Sequence, residues 1–212
     1  MWSKHGSTLD ANFLGKWVSF QCKSTLVALS LWQRSIRSCQ ASLLLSERGM
    51  IPEARVQIRA AYEMLFFAIA AIKSPSVVAR MEQNDSKEIA KMASGMLASA
   101  GDYRYTDEQI KELQAAIDSA DVVGASSKYT VVQAARDADM LHLFETVYRG
   151  MSLDAAHATL NSTDHFFEDD GEGGGRVVFA PDAKGIEFTM QMIATCLISG
   201  LEHFGSMATS QN

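Results

Sequence analysis

Apolar positions recur along most of this chain at the three- and four-residue steps of an α-helix. The clearest case is the stretch from about Pro52 to Lys73. There Ile58, Tyr62, Leu65, Ile69 and Ile72 step by four, three, four and three and draw one stripe. Its second half, MLFFAIAAI, is apolar on every side, the pattern of a helix surrounded by others. Leu26, Leu29, Trp32 (or Gln33) and Ile36 give a first helix the same spacing. Capped at Ser7 or Thr8, that helix is expected to run to Glu47 with a break near Gly15. Gly49 fits its C-terminal cap, and Pro52 fits the first turn of the helix that follows.

Ser74 and Pro75 restart the chain as a third helix, expected to reach about Ala100. Thr106 to Gln109, TDEQ, reads as a capping box that opens a fourth, polar helix ending near Ala120. DVVGASSKY is a loop. One or two helical pieces follow up to Ser152, then a short helix over Leu153 to Asn161. Glycines and acidic residues in DHFFEDDGEGGGRVVFAP oppose packed helix, so residues 164–180 are expected to be a flexible loop, with RVVF as a short strand or extended arm. Pro181 precedes a last amphipathic helix, from about Ala183 to Phe204. The fold predicted over residues 1–212 is one all-α domain, a bundle of about six to eight helices with Pro52 to Lys73 at its centre.

Composition narrows the function classes. With 47% apolar and 21% charged residues the chain can bury a real core. A formal charge of -6 argues against sequence-independent nucleic-acid binding. Cys22, Cys39 and Cys196 are odd in number and far apart, with no Cys-x-x-Cys pair. They read as buried free thiols in a reducing compartment rather than a disulfide framework or a zinc site. MWSKHGSTLDANFLGKW lacks the apolar core of a secretory leader. The most apolar windows fall short of the roughly 20 residues that a membrane span needs. A cytoplasmic protein without membrane contact is therefore expected.

Few motifs carry chemistry. The glycines of GEGGGR do not lie between a strand and a helix, so they form no phosphate loop. Glu168, Asp169, Asp170 and Glu172 lack the spacing of a calcium loop. His142, His157, His165 and His203 are scattered, and neither a metal nor a cofactor is expected. Arg136 and His142 match the Arg-x(4–6)-His signature of HEPN ribonucleases, but chance alone supplies about one such match in this composition.

Polar residues on otherwise apolar helices are more telling. Arg55, Arg59 and Glu63 follow one another at four-residue steps beside the central stripe. In VYRGMSLDAAHATL, Tyr148 and Ser152 share one helix face, and Glu145 and Arg149 form a solvated pair beside them. If the two helices pack, Arg59, Glu63, Tyr148, Ser152 and His157 meet in the bundle interior. Such a cluster reads first as a hydrogen-bonded seam that fixes helix register. The competing reading is a pocket for a small anion or a nucleotide end, with Arg59 as clamp and His157 as acid–base.

The same residues carry a family resemblance. An Arg-x-x-x-Glu step at Arg59 and Glu63, then Tyr148, Arg149 and Ser152 in Tyr-Arg-x-x-Ser, then His157, resemble the helical bacterial family catalogued as domain of unknown function 5677. The resemblance spans about Ser46 to Phe204. It implies a helical bundle and brings no activity with it. The reading expected from residues and resemblance together is a non-enzymatic module that binds a protein partner or itself. Arg55, Arg59, Glu63, Tyr148, Ser152 and His157 would form its polar site. The alternative is a HEPN-like, metal-independent ribonuclease or toxin-like defence protein using Arg59, Glu63, Arg149 and His157.

Overall fold

Helix α2, Ile51–Lys73, is the axis of the molecule. The structure, a computed structural model, describes residues 22–101, 103–121, 128–152 and 159–209. Ile58, Tyr62 and Leu65 on α2 are 0% exposed and Ile69 is 1%, as the stripe predicts. The all-apolar second half of α2 buries Phe66, Ala68, Ala70 and Ala71 as well, because neighbours cover it on more than one side.

Helix α1, Lys23–Glu47, lies along α2 through a tight turn. Gly49 makes that turn: at φ +70° it accepts a left-handed backbone, and the Gly49 and Met50 amides close on the Ser46 and Leu45 carbonyls. A side chain at Gly49 would begin 2.8 Å from Pro181 Cβ. The backbone of Asp182 bonds there, donating to the Gly49 carbonyl at 3.1 Å.

The buried face of α1 matches the expected stripe only in part: Trp32 is buried and Leu29 and Ile36 pack against the core, but Leu26 is exposed and small residues take the innermost positions. Ala28, Trp32, Ser35, Cys39, Ser42 and Ser46 point inward, whereas Leu26, Leu43 and Leu44 are exposed. The reason is distance. A seam of small side chains brings the α1 backbone close enough for Ser35 Oγ to donate to the Ala61 carbonyl of α2 at 2.9 Å. Leucines there would hold the helices apart. The expected start at Ser7 or Thr8 lies outside the described residues. Cys22, just before α1, is exposed, against the expectation that all three thiols are buried.

Helix α3, Ser76–Ala98, and α4, Asp107–Asp121, pack mainly on each other, and α3 buries only Val77, Val78 and Ala93 among its described residues. The Thr106–Gln109 capping box is present. Thr130 and Gln133 form a second box that opens α5, Val131–Asp137. Helix α5 stops at Asp139, a non-glycine residue at φ +60°. Lys73 holds that end by donating to the Ala138 carbonyl and the Asp139 carboxylate at 2.9 and 2.7 Å.

A helical run follows: α6, Leu141–Leu143, a π turn over Phe144–Tyr148, and α7, Arg149–Met151. Most of the short helix expected over Leu153 to Asn161 lies outside the described residues; α8 is Leu160–Thr163. The last helix, α9, Ile186–Thr209, packs on both α1 and α2, with Phe204 stacked on Trp32 at 5.6 Å. No helix among the described residues is long and apolar enough to cross a membrane. The fold is an all-α bundle.

Residues 164–180 are more ordered in form than the expected loop. Phe167–Asp169 (β1) and Gly175–Val177 (β2) pair antiparallel, with Arg176 bound to Glu168 across the strands. The acidic side chains cap the turn: Asp170 accepts from the Glu172 and Gly174 amides, and Asp169 from Gly171. Both strands are nevertheless exposed along their whole length. A two-stranded hairpin with no buried face is marginal in water. Limited proteolysis is expected to cut between Asp164 and Arg176 before it cuts α2 or α9. Early cleavage inside those helices, with the hairpin intact, would contradict this.

Candidate functional site

Arg59 and Glu63, one turn apart on α2, face the π turn and α7. Arg59 Nε donates to Ser152 Oγ at 2.8 Å, and its Nη2 donates to Tyr148 Oη at 2.6 Å. Tyr148 Oη donates in turn to Glu63 Oε2 at 2.8 Å, and Glu63 lies 3.7 Å from Arg59 Nη1. Ser152 Oγ donates back to the Tyr148 carbonyl at 2.9 Å. Each hydroxyl thus accepts one bond from Arg59 and donates its single proton to another acceptor. The Tyr148 ring is held by Phe144, stacked at 5.2 Å, by the edge of Phe66 at 6.1 Å, and by the Arg59 guanidinium 4.6 Å from its centroid.

Four of the expected site residues therefore meet, with one difference from expectation. The cluster sits at the rim of the bundle rather than in its interior: the Arg59 and Glu63 side chains keep 24% and 31% of their exposure. Water reaches the outer edge of the guanidinium and carboxylate, so neither is a fully buried charge.

The other expected site residues are elsewhere. Arg55 leaves the row for the base of the hairpin, with Nη1 3.4 Å from His165 Nε2 and its guanidinium 5.6 Å from the Phe188 ring. Arg149 forms the solvated pair with Glu145 at 2.7 Å. His157 lies outside the described residues. Arg136 and His142, the literal HEPN spacing, fall on α5 and α6, on either side of the left-handed turn at Asp139. They do not share one helix as that chemistry requires. Among the described residues no His, Cys, Asp and Glu cluster could hold a metal ion.

A second network was not read from the sequence. Tyr129 Oη donates to Asp137 Oδ2 at 2.9 Å, Arg80 stands 3.8 Å from the same carboxylate, and its guanidinium lies 4.0 Å from the Tyr129 ring centroid. Asn84 binds both the amide and the carbonyl of Tyr129. This is the same arginine–tyrosine–carboxylate unit, joining α3 to α5. The Thr130 capping box was a usable signal, because it places Tyr129 just before the helix, where a buried ring anchors the entering chain.

Burial, then donation to Glu63, pushes the Tyr148 phenol above its ordinary range; burial and Asp137 do the same for Tyr129. Both phenols are neutral when folded, whereas the unfolded chain ionises near pH 10. Their contribution to stability is complete below that pH and is lost as pH rises through it. The denaturation midpoint is expected to fall steeply between about pH 10 and 12, and Tyr148→Phe should make the fall shallower. An unchanged slope would place the alkaline sensitivity elsewhere.

A model of a family of unknown function, DUF5677, matches residues 25–175. The chain belongs to this family. The match begins well before Ser46 and takes in most of α1, and it ends at the hairpin, so α9 lies beyond it. Both triads lie inside the matched span. No curated protein and no solved structure matches the chain.

Proposed function

We propose that this member of DUF5677 is a non-enzymatic helical module that binds a protein partner or a second copy of itself. In this reading the arginine–tyrosine–carboxylate triads are struts between helices. The observation that carries it is their repetition. The Arg80–Tyr129–Asp137 unit joins two helices, and the Arg59–Tyr148–Glu63 unit has nearly the same distances. The tyrosine–carboxylate hydrogen bond and the arginine over the ring are common to both, although only Arg59 also donates to its tyrosine's hydroxyl, and the common parts argue for one shared mechanical task. Large apolar side chains left outside, Leu44, Ile198 and Leu201 among them, supply contact surface. A cytoplasmic setting, where free thiols persist, fits the same reading.

A second reading, a HEPN-like metal-independent ribonuclease or toxin-like defence protein, draws on one feature. The Arg59 cluster is open at the rim beside a π turn, and such turns recur at functional sites. Arg59 would then hold a phosphate, with Arg149 and His157 completing the site.

Light scattering over a range of concentrations, with an RNA-cleavage assay in chelator, separates the readings. A mass that rises with concentration and falls in Leu201→Glu supports self-association. A monomer throughout removes that branch and leaves a different chain as partner. Chelator-resistant cleavage of single-stranded RNA that disappears in Arg59→Ala would overturn the module in favour of the nuclease.

A further inference from the structure

Helices α1, α2 and α3 enclose a cleft that lies beside the Arg59 network. Helix α3 buries Val77 and Val78 near its start and Ala93 further on. Over the turns between, it stands off α2 and leaves a cavity of about 350 Å³. Helical spacing turns one face of each helix toward it: Leu31 and Arg34 on α1, Met64 and Phe67 on α2, Met81 and Asp85 on α3. The four apolar side chains of this set are only half-buried.

The charged part of the lining is mixed in sign. Glu63 uses Oε2 toward Tyr148 and Arg59, and its Oε1 makes no hydrogen bond among the described residues. Arg34 and Asp85 are exposed at the mouth, on different walls. Neither forms an ion pair or hydrogen bond among the described residues, with each other or with a third group. Opposite charges that line one small cavity without closing on each other are both left to a molecule that enters between them. The walls are braced. Tyr148 holds Glu63 by donating to it, Asn84 on α3 is bonded to the amide and carbonyl of Tyr129, and the Phe67 ring meets that of Tyr129 edge-on at 5.6 Å. Binding there orders few groups.

We propose that this cleft binds a free α-amino acid with a large apolar side chain. The ligand carboxylate goes to Arg34, whose guanidinium can donate two parallel N–H bonds to it. The ligand ammonium goes to Asp85 and to Glu63 Oε1. The side chain lies on Met64, Phe67 and Met81, where the thioethers adapt to its shape. A simple anion would meet two carboxylates in the same cleft, and an apolar amine would leave Arg34 facing its own apolar end. Small-ligand sites run upward from about 300 Å³, so the cavity suits an amino acid rather than a nucleotide cofactor. The site requires neither self-association nor RNA cleavage, and Arg59 is not one of its ligand contacts.

The test is calorimetry of the full chain with L-phenylalanine, beside two truncated probes: phenethylamine, which lacks the carboxylate, and hydrocinnamate, which lacks the ammonium. Each truncation should weaken binding by about tenfold or more. Arg34→Gln should weaken phenylalanine by a like factor and leave phenethylamine unchanged. Asp85→Asn should weaken phenylalanine and phenethylamine and leave hydrocinnamate no weaker. Both positions are exposed, so neither change removes a packed side chain. In carbon-13 methyl spectra, phenylalanine should move the Met64 and Met81 signals more than those of the other methionines. Phenethylamine binding as tightly as phenylalanine, or phenylalanine binding that both variants leave intact, would overturn the proposal. So would the absence of heat and of methyl shifts at about 10 mM phenylalanine.

Discussion

Leu65→Ala is expected to destabilise the fold by about 2–5 kcal/mol, read as a shift in the denaturation midpoint followed by circular dichroism. Leu65 is 0% exposed on α2, the helix against which α1, α5 and α9 pack. Removing its branched end forfeits the transfer of those carbons from water and leaves a void that close-packed neighbours fill only in part. Leu44→Ala is the matched control. Leu44 is 63% exposed, so the same deletion there should change stability by less than about 0.5 kcal/mol. Equal losses at the two leucines would mean that the assigned faces are wrong.

The second large effect concerns the Arg59 network. Glu63→Ala removes the acceptor of the Tyr148 proton and the anion beside Arg59, and should cost about 1–3 kcal/mol. A sealed ion pair would cost more to break, about 3–5 kcal/mol; the 31% exposure of Glu63 lets water take over part of the lost bonding. The double change Arg59→Met with Glu63→Leu should recover part of the loss, because it removes both charges and keeps much of the packing. The difference between the double change and the sum of its parts measures the coupling. If Glu63→Ala leaves the midpoint where it was, the strut reading fails and the pocket reading takes its place.

How far the sequence carries can be judged on these same elements. The face of α2 is legible because its large apolar residues have one way to be buried. The Arg59, Glu63, Tyr148 and Ser152 contacts are legible as well, since helical spacing puts the two polar pairs on facing surfaces. The inner face of α1 is legible only in part. Apolar spacing points to Leu26, Leu29, Trp32 and Ile36, and all but Leu26 reach the core, but close approach to α2 gives the innermost positions to Ser35, Cys39 and Ser42. Depth is also hidden: spacing places Arg59 and Glu63 on one face without saying whether that face reaches the rim. The contact of Ser35 with Cys196 depends on where α9 docks, which local pattern cannot encode. Asp169 and Asp170 read as like charges that resist order, yet as acceptors for turn amides they shape the hairpin.

The π turn at Phe144–Tyr148 gives the run one more residue than an α-helix of the same height would hold. Along an α-helix each residue turns the face by about 100°, so the surplus residue acts as a phase shift. Everything after it is rotated relative to everything before it. Leu143, ahead of the shift, and Met151, beyond it, both reach the core, and Tyr148 and Ser152 both come to lie against Arg59. A relative one residue shorter in this segment could keep a regular helix, but the two halves would be out of phase. It would have to give up either the buried side chains upstream or the arginine's two hydroxyl partners downstream. Chain length between Leu143 and Arg149 is therefore as specific to this network as the identity of the residues that form it.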